Sequence, residues 1–118
     1  MARNIMFQML SALSYLHDEL RIVHRDIKPD NIICLEDMTR ATLIDFNVSR
    51  ELSLGQRMMT KTGTPEFNAP ELFSSNEYTE KVDIWALGLV FHAMISGDRL
   101  FASENLSTLI NQIQTKDI

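Results

Sequence analysis

The chain has 118 residues, a formal net charge of −5 and a single cysteine, Cys34. One modest domain fits that length. Interspersed acids and bases leave no basic face for nucleic acid, and a lone thiol excludes an internal disulfide and favours a reducing compartment.

Hydropathy adds a further exclusion. The longest apolar run, Ile84 to Ile95, is too short to cross a bilayer and is interrupted by Gly88 and His92. The N-terminus carries one early Arg3 and no sustained apolar core, which is not the pattern of a signal peptide. A soluble, cytoplasmic protein is therefore expected.

In chain order, Ile5, Met9, Leu13 and Leu16 recur at helical spacing, with Met6, Leu10 and Ala12 widening the stripe. This predicts an opening helix in a segment that runs to Leu20. Ile22-Val23 and Ile32-Ile33-Cys34-Leu35 are short apolar runs rich in β-branched residues, read as small buried strands. Between them lies His24-Arg25-Asp26-Ile27-Lys28-Pro29-Asp30-Asn31. Pro29 fixes its own φ and pushes Lys28 toward extended geometry, so this loop is stiff. Asp37 to Arg40 reads as a polar turn and Thr42-Leu43-Ile44 as another strand, followed by Asp45-Phe46-Asn47. The Ser-, Thr- and Met-rich stretch up to Gly63 has little apolar surface to bury and is expected to be mobile. Thr64-Pro65 starts a compact loop ending in Ala69-Pro70-Glu71, with one helical turn through Phe73. Lys81 to Ser96 is apolar almost all round and predicts a helix buried on every side, stopped by Gly97. Leu106, Leu109, Ile110 and Ile113 repeat helical spacing in the tail. The fold class is mainly α with short β-strands (α+β).

A stiff loop presenting Asp26, Lys28 and Asn31 together suits phosphoryl transfer. That chemistry needs a carboxylate near a hydroxyl, a cation on a phosphate and an oxygen ligand for magnesium. Residue for residue the loop resembles the catalytic loop of eukaryotic protein kinases, H-R-D-x-x-x-x-N. Asp45-Phe46, Gly63-Thr64-Pro65-Glu66, Ala69-Pro70-Glu71 and Asp83-Ile84-Trp85-Ala86-Leu87-Gly88 follow in family order, so the resemblance covers nearly the whole chain. Lys28, two residues after Asp26, is the serine/threonine-type arrangement.

The resemblance implies the C-terminal lobe of the protein-kinase-like fold, with the N-terminal lobe absent. Residues 1–118 would then be a partial kinase domain holding the catalytic loop, activation segment, central buried helix and following helix. It implies transfer of the γ-phosphate of Mg-ATP to Ser or Thr of a protein substrate, with ATP and Mg2+ as cofactors and no nucleic-acid or membrane partner. By the same resemblance, Asp26 accepts or orients the substrate hydroxyl proton, and Lys28 neutralises charge on the transferred group. Asn31 and Asp45 would hold Mg2+, Ile33 would lie under the adenine, and Thr64 would hydrogen-bond Asp26 and Lys28. His24 and Phe46 would stack in a column anchored on Asp83. Arg25 would face a regulatory phosphate on Thr60, with Thr62 the second choice. Asp30 and Glu66 would favour basic residues on the N-terminal side of the target, an expectation that Ala93 weakens.

Plainer readings stand beside these. Asp and Asn cap ordinary turns, and Asp83 in the first turn of a helix suits the macrodipole alone. His17 is read as a helix-surface histidine and His92 as a polar break, and no metal-ligand spacing is present. Asn47 stands where the family has Gly and is expected to bias the backbone flip there; Leu100 replaces a common proline. The chain contains no Gly-rich loop, no V-A-I-K lysine strand with its helix glutamate, and no late arginine to pair with the acid matching Glu71. Alone it is expected to bind Mg-ATP weakly and to associate through an exposed apolar face of the central helix. The alternative function is a non-catalytic, pseudokinase-like binding module or scaffold. Retention of Asp26, Lys28, Asn31 and Asp45 favours the kinase.

Overall fold

The computed structural model describes residues 2–37, 39–46, 50–51, 64–74, 78–102 and 105–115. The expectations for Asn47, Thr60, Thr62 and the stretch up to Gly63 lie outside the described residues.

Helix α1 (Ala2–Ser14) stacks Ile5, Met9 and Leu13 one turn apart on a single face, and all three are buried. Burying such a side chain is worth roughly 1.5–3 kcal/mol, so packing rather than propensity fastens this helix. Leu10 lies about 100° around from Met9 and stays exposed, so it does not widen the stripe. The helix continues into a π-helical turn, Tyr15–Glu19, closed by the Leu20 N–H on the Tyr15 carbonyl at 3.1 Å. This wider turn carries Leu16 and His17 into the interior.

Among the described residues four short strands follow, in two antiparallel pairs. Strand β1 (Ile22–Val23) pairs with β4 (Arg50–Glu51), Val23 opposite Arg50. Strand β2 (Ile32–Cys34) pairs with β3 (Ala41–Leu43), Ile32 opposite Leu43, so β3 begins one residue before its expected start. Only one face of this second pair meets the core. Successive side chains alternate across a strand, so Ile32 and Cys34 are half-buried while Ile33 is 55% exposed; the expectation of a fully buried strand fails there. The hairpin is stitched to α1: Gln8 donates its amide to the Thr39 carbonyl at 2.8 Å and accepts the Ala41 N–H at 2.8 Å.

Helix α2 (Glu71–Ser74) is a single turn, and α3 (Lys81–Ser96) is the long element through the middle. Gly97 ends α3 at φ 78°, its N–H on the Ala93 carbonyl at 2.9 Å, a left-handed cap that glycine adopts without a Cβ penalty. Val82, Ala86, Leu87, Leu89 and Val90 are buried. Helix α3 is not covered on every side, however: Ile84 is 48% and Ile95 66% exposed. Helix α4 (Leu106–Thr115) buries Leu109 and Ile113 and packs near a 3-10 turn at Pro65–Phe67. The main core joins Ile5, Met9 and Leu13 to Leu87, Val90, Phe101, Leu109 and Ile113. A smaller cluster of Val23, Ala69, Leu72, Tyr78 and Val82 sits beside it. Trp85 touches both clusters, and the β1–β2 loop leans on the first turn of α3 between them.

Candidate active site

Asp83 is 1% exposed, and three donors converge on it. Its Oδ2 accepts the His24 N–H at 2.8 Å and lies 2.8 Å from His17 Nε2, while Oδ1 accepts the Arg25 N–H at 2.9 Å. A carboxylate only accepts hydrogen bonds, so His17 carries its proton on Nε2 toward Asp83. An isolated buried carboxylate would be strongly unfavourable; satisfied on both oxygens, it becomes a rigid anchor. It also compensates a strained backbone. Arg25 sits at φ 74°, a left-handed conformation that costs a non-glycine residue roughly 1–2 kcal/mol. The Arg25 guanidinium meanwhile donates to the Tyr78 hydroxyl at 3.0 Å.

His24 is wholly buried. Its Nδ1 accepts the Asp26 N–H at 3.1 Å, which leaves the proton on Nε2 to donate to the Ile44 carbonyl at 2.8 Å. The ring meets Phe46 edge-on, with centroids 4.9 Å apart. The structure thus brings His24, Phe46 and Asp83 together, and Asp83 does more than favour a helix dipole. His17 is the correction: it is buried against Asp83, not on a helix surface. Its place one turn after Leu13 and beside Leu16 on the inner face was the available signal.

The loop above this anchor holds Asp26, Lys28 and Asn31. Thr64 comes to it from 36 positions beyond Lys28: its hydroxyl donates to Asp26 Oδ1 at 2.9 Å and accepts from Lys28 Nζ at 3.0 Å. Lys28 Nζ is 3.8 Å from Asp26 Oδ2. Asn31 closes a 3-10 turn, Pro29–Asn31, and donates its side-chain amide to the Asp26 carbonyl at 2.7 Å and to Oδ2 at 3.3 Å. The Ile44 N–H on the Asn31 carbonyl, at 2.9 Å, carries the β2–β3 pairing one step further and brings Asp45 to the same end of the sheet. Asp45 is exposed at φ 62°, a left-handed conformation that Asp tolerates better than most residues.

Asp26, Lys28, Asn31 and Thr64 are therefore in direct contact, with Asp45 one residue beyond the Asn31–Ile44 bond. Ile33 lies on the open face of β2. Arg25 points to Tyr78 and Asp83, while Thr60 and Thr62 are outside the described residues. Glu66 has a partner that the sequence does not point to. Its Oε2 is paired with Arg99 Nη1, and the Arg99 guanidinium lies 5.8 Å from the Phe67 ring centroid. Glu66 is thus not an open carboxylate; nothing in the local sequence links it to a residue 33 positions away.

The model of the protein kinase domain matches residues 1–118. The chain belongs to the protein kinase family. It is 34% identical over 119 residues to a probable myosin light chain kinase of Dictyostelium discoideum, covering 98% of this chain and 34% of that protein. The serine/threonine-protein kinase nekl-2 of Caenorhabditis elegans is 39% identical over 106 residues, covering 90% of this chain and 29% of that protein. The serine/threonine-protein kinase fused of Drosophila melanogaster is 36% identical over 118 residues, covering 99% and 14%. The chain spans about a third or less of the length of these kinases.

Protein kinases use Mg-ATP, and the donor set here fits Mg2+. Asn31 directs its amide N–H groups to Asp26, which leaves Oδ1 as the atom of that side chain that would suit a cation, and Asp45 brings a carboxylate to the same end of the sheet. Both are hard oxygen donors. Among the described residues no group of three or more His, Cys, Asp or Glu is arranged for a metal, and Mg2+ held by one or two side chains plus phosphate oxygens needs none. Among the same residues no helix is long and apolar enough to cross a membrane.

Proposed function

We propose that this kinase domain is of serine/threonine type, transferring the γ-phosphate of Mg-ATP to Ser or Thr of protein substrates, and that residues 1–118 form its C-terminal-lobe part. The observation that carries the reading is the Thr64 hydroxyl between Asp26 and Lys28, 2.9 and 3.0 Å from them. A hydroxyl has one proton to give and lone pairs to receive, so a single side chain fixes base and cation in one arrangement. Asp26 Oδ1 is held by Thr64, whereas among the described residues Oδ2 has only the longer contacts to Asn31 at 3.3 Å and Lys28 at 3.8 Å. Oδ2 is the atom that takes the substrate hydroxyl proton. The Lys28 ammonium keeps further N–H donors for the moving phosphoryl group. Asn31 and Asp45 would hold the Mg2+ that bridges the ATP phosphates and neutralises their charge, and Ile33 would carry the adenine. A phosphate on Thr60 or Thr62 would regulate the site through Arg25. A cytoplasmic setting suits ATP use and the unpaired Cys34.

The test is phosphoryl transfer by the product of the longest reading frame that contains this chain. Incubated with Mg-ATP labelled in the γ-phosphate and peptides bearing Ser, Thr or Tyr, it should label Ser and Thr. Asp26→Asn should lower transfer by roughly 10²–10⁴-fold, the contribution of a positioned general base. Label confined to Tyr, or no transfer at all, overturns the reading.

A further inference from the structure

The reading above requires an acceptor hydroxyl within hydrogen-bond reach of Asp26, about 2.6–3.2 Å. An extended peptide advances about 3.3 Å per residue, so residues flanking the acceptor must cross the surface beside the catalytic loop. An open cavity of about 370 Å³ lies there, between Pro29 of the loop and Ala93, Gly97, Asp98 and Arg99 at the end of α3. Ala93 contributes no charge. Asp98 Oδ1 accepts the Arg99 N–H at 2.9 Å and so serves its own turn. The Arg99 side chain reaches from the cavity to Glu66, in the Pro65–Phe67 turn two residues after Thr64. One arginine therefore connects the cavity to the segment that fixes Asp26 and Lys28.

We propose that Arg99 is a specificity-determining residue for the peptide substrate, resting on the kinase reading above. It neutralises Glu66, so the groove beside the catalytic loop does not select an arginine or lysine through that carboxylate. Without the Arg99 charge, Asp98 at the cavity wall and Glu66, the partner Arg99 reaches from it, are left as uncompensated acids and a basic side chain becomes favourable. The Arg99 and Glu66 side chains are 48% and 28% exposed, so solvent screens them. The change in preference is that of an exposed pair, about three- to fivefold.

The experiment reads peptide choice, not turnover. Labelled peptides with alanine at the acceptor and a single arginine walked through the preceding positions are titrated against the same protein, without ATP and at low salt. Binding is followed by fluorescence anisotropy. Wild-type protein should bind arginine- and alanine-containing peptides about equally. Arg99→Gln, which keeps a side-chain stem over Phe67, should raise the arginine-to-alanine affinity ratio about three- to fivefold at one position. Arg99→Lys should leave the ratio near that of the wild type, and adding Glu66→Gln to Arg99→Gln should erase the gain, closing a double-mutant cycle. A ratio unchanged in Arg99→Gln, a gain that survives Glu66→Gln, a wild-type preference for arginine, or no peptide binding at all overturns the assignment. Charge-selective binding without phosphoryl transfer would instead overturn the reaction proposed above while leaving Arg99 as the residue that chooses the peptide.

Discussion

Asp83 and Ile84 are neighbours on α3, and the surfaces they face treat polar groups in opposite ways. On the Asp83 flank every buried donor or acceptor described here has a partner: His17, His24 and Arg25 all meet one carboxylate, and His24 uses both ring nitrogens. On the Ile84 flank, Glu71 Oε1 and Trp85 Nε1 are buried with no hydrogen-bond partner among the described residues. Apolar surface is open there as well, in a cavity of about 260 Å³ lined by Ile84, Trp85, Gly88, Leu89, His92 and Leu100. One helix thus has a flank whose buried polar groups are paired against the His24–Asn31 loop. Its other flank leaves two of its own without a partner among the described residues. The lesson is that polar pairing is uneven among the described residues: it is dense beside the loop where Asp26, Lys28 and Thr64 contact one another.

The largest effect should come from breaking the closed flank. Asp83→Ala strands the His24 and Arg25 N–H groups and the His17 ring in a buried site, and it removes the compensation for the left-handed Arg25. Removing one partner of a buried charged network costs about 3–5 kcal/mol, a large part of a typical domain stability of about 5–15 kcal/mol. Urea unfolding followed by circular dichroism should show a much lower midpoint, or no folded baseline. A loss under about 1 kcal/mol would mean that Asp83 is not what holds the loop.

That anchor was partly legible in the sequence. The extended geometry that Pro29 imposes on Lys28 and the three long helices follow from local chemistry and periodicity, and they stand in the structure. The misses are all tertiary. His17 looked external because an ionisable side chain on an inner face gives no local sign of the buried carboxylate that receives it, 66 positions away. Ile33 looked buried because a run of apolar residues does not say that only one face of a two-stranded sheet will be covered. The Arg99 partner of Glu66 was not legible because it is set by how the end of α3 lies against the Pro65 turn. Helix α3 looked buried all round because composition reports the apolarity of a face, not what covers it.

The open flank should respond far less in stability and more in association. Ile84→Lys places a charge on a side chain already half out of the packing, so the urea midpoint should move by no more than about 0.5 kcal/mol equivalent, as for ordinary surface substitutions. Contiguous exposed apolar surface promotes contact between molecules, so light scattering should show less concentration-dependent growth in size than in the wild type. A destabilisation as large as that of Asp83→Ala would erase the distinction between the two flanks.

The smallest effect sharpens the comparison through a second aspartate. Asp37, like Asp83, takes more than one hydrogen bond on its carboxylate: Thr39 donates its hydroxyl at 2.7 Å and its N–H at 3.1 Å. The Thr39 hydroxyl, then its backbone N–H, hold the Asp37 carboxyl below the usual carboxylate range. The folded-state value is therefore depressed, so the contribution is present above the unfolded value of about 3.9 and is lost as pH falls through the folded one. Asp37 is exposed, and water competes for every one of these bonds, so the loss should be local. Thr39 also receives Gln8 and Asn4 of α1 on its carbonyl, which makes the β2–β3 turn the place to look. Amide exchange of Thr39 should quicken in Asp37→Ala at neutral pH, while the His24 and Arg25 amides keep wild-type protection. If those two amides lost protection together with Thr39, the hairpin and the loop would be a single cooperative unit. Burial would then not be what separates a carboxylate that anchors the site from one that trims a turn.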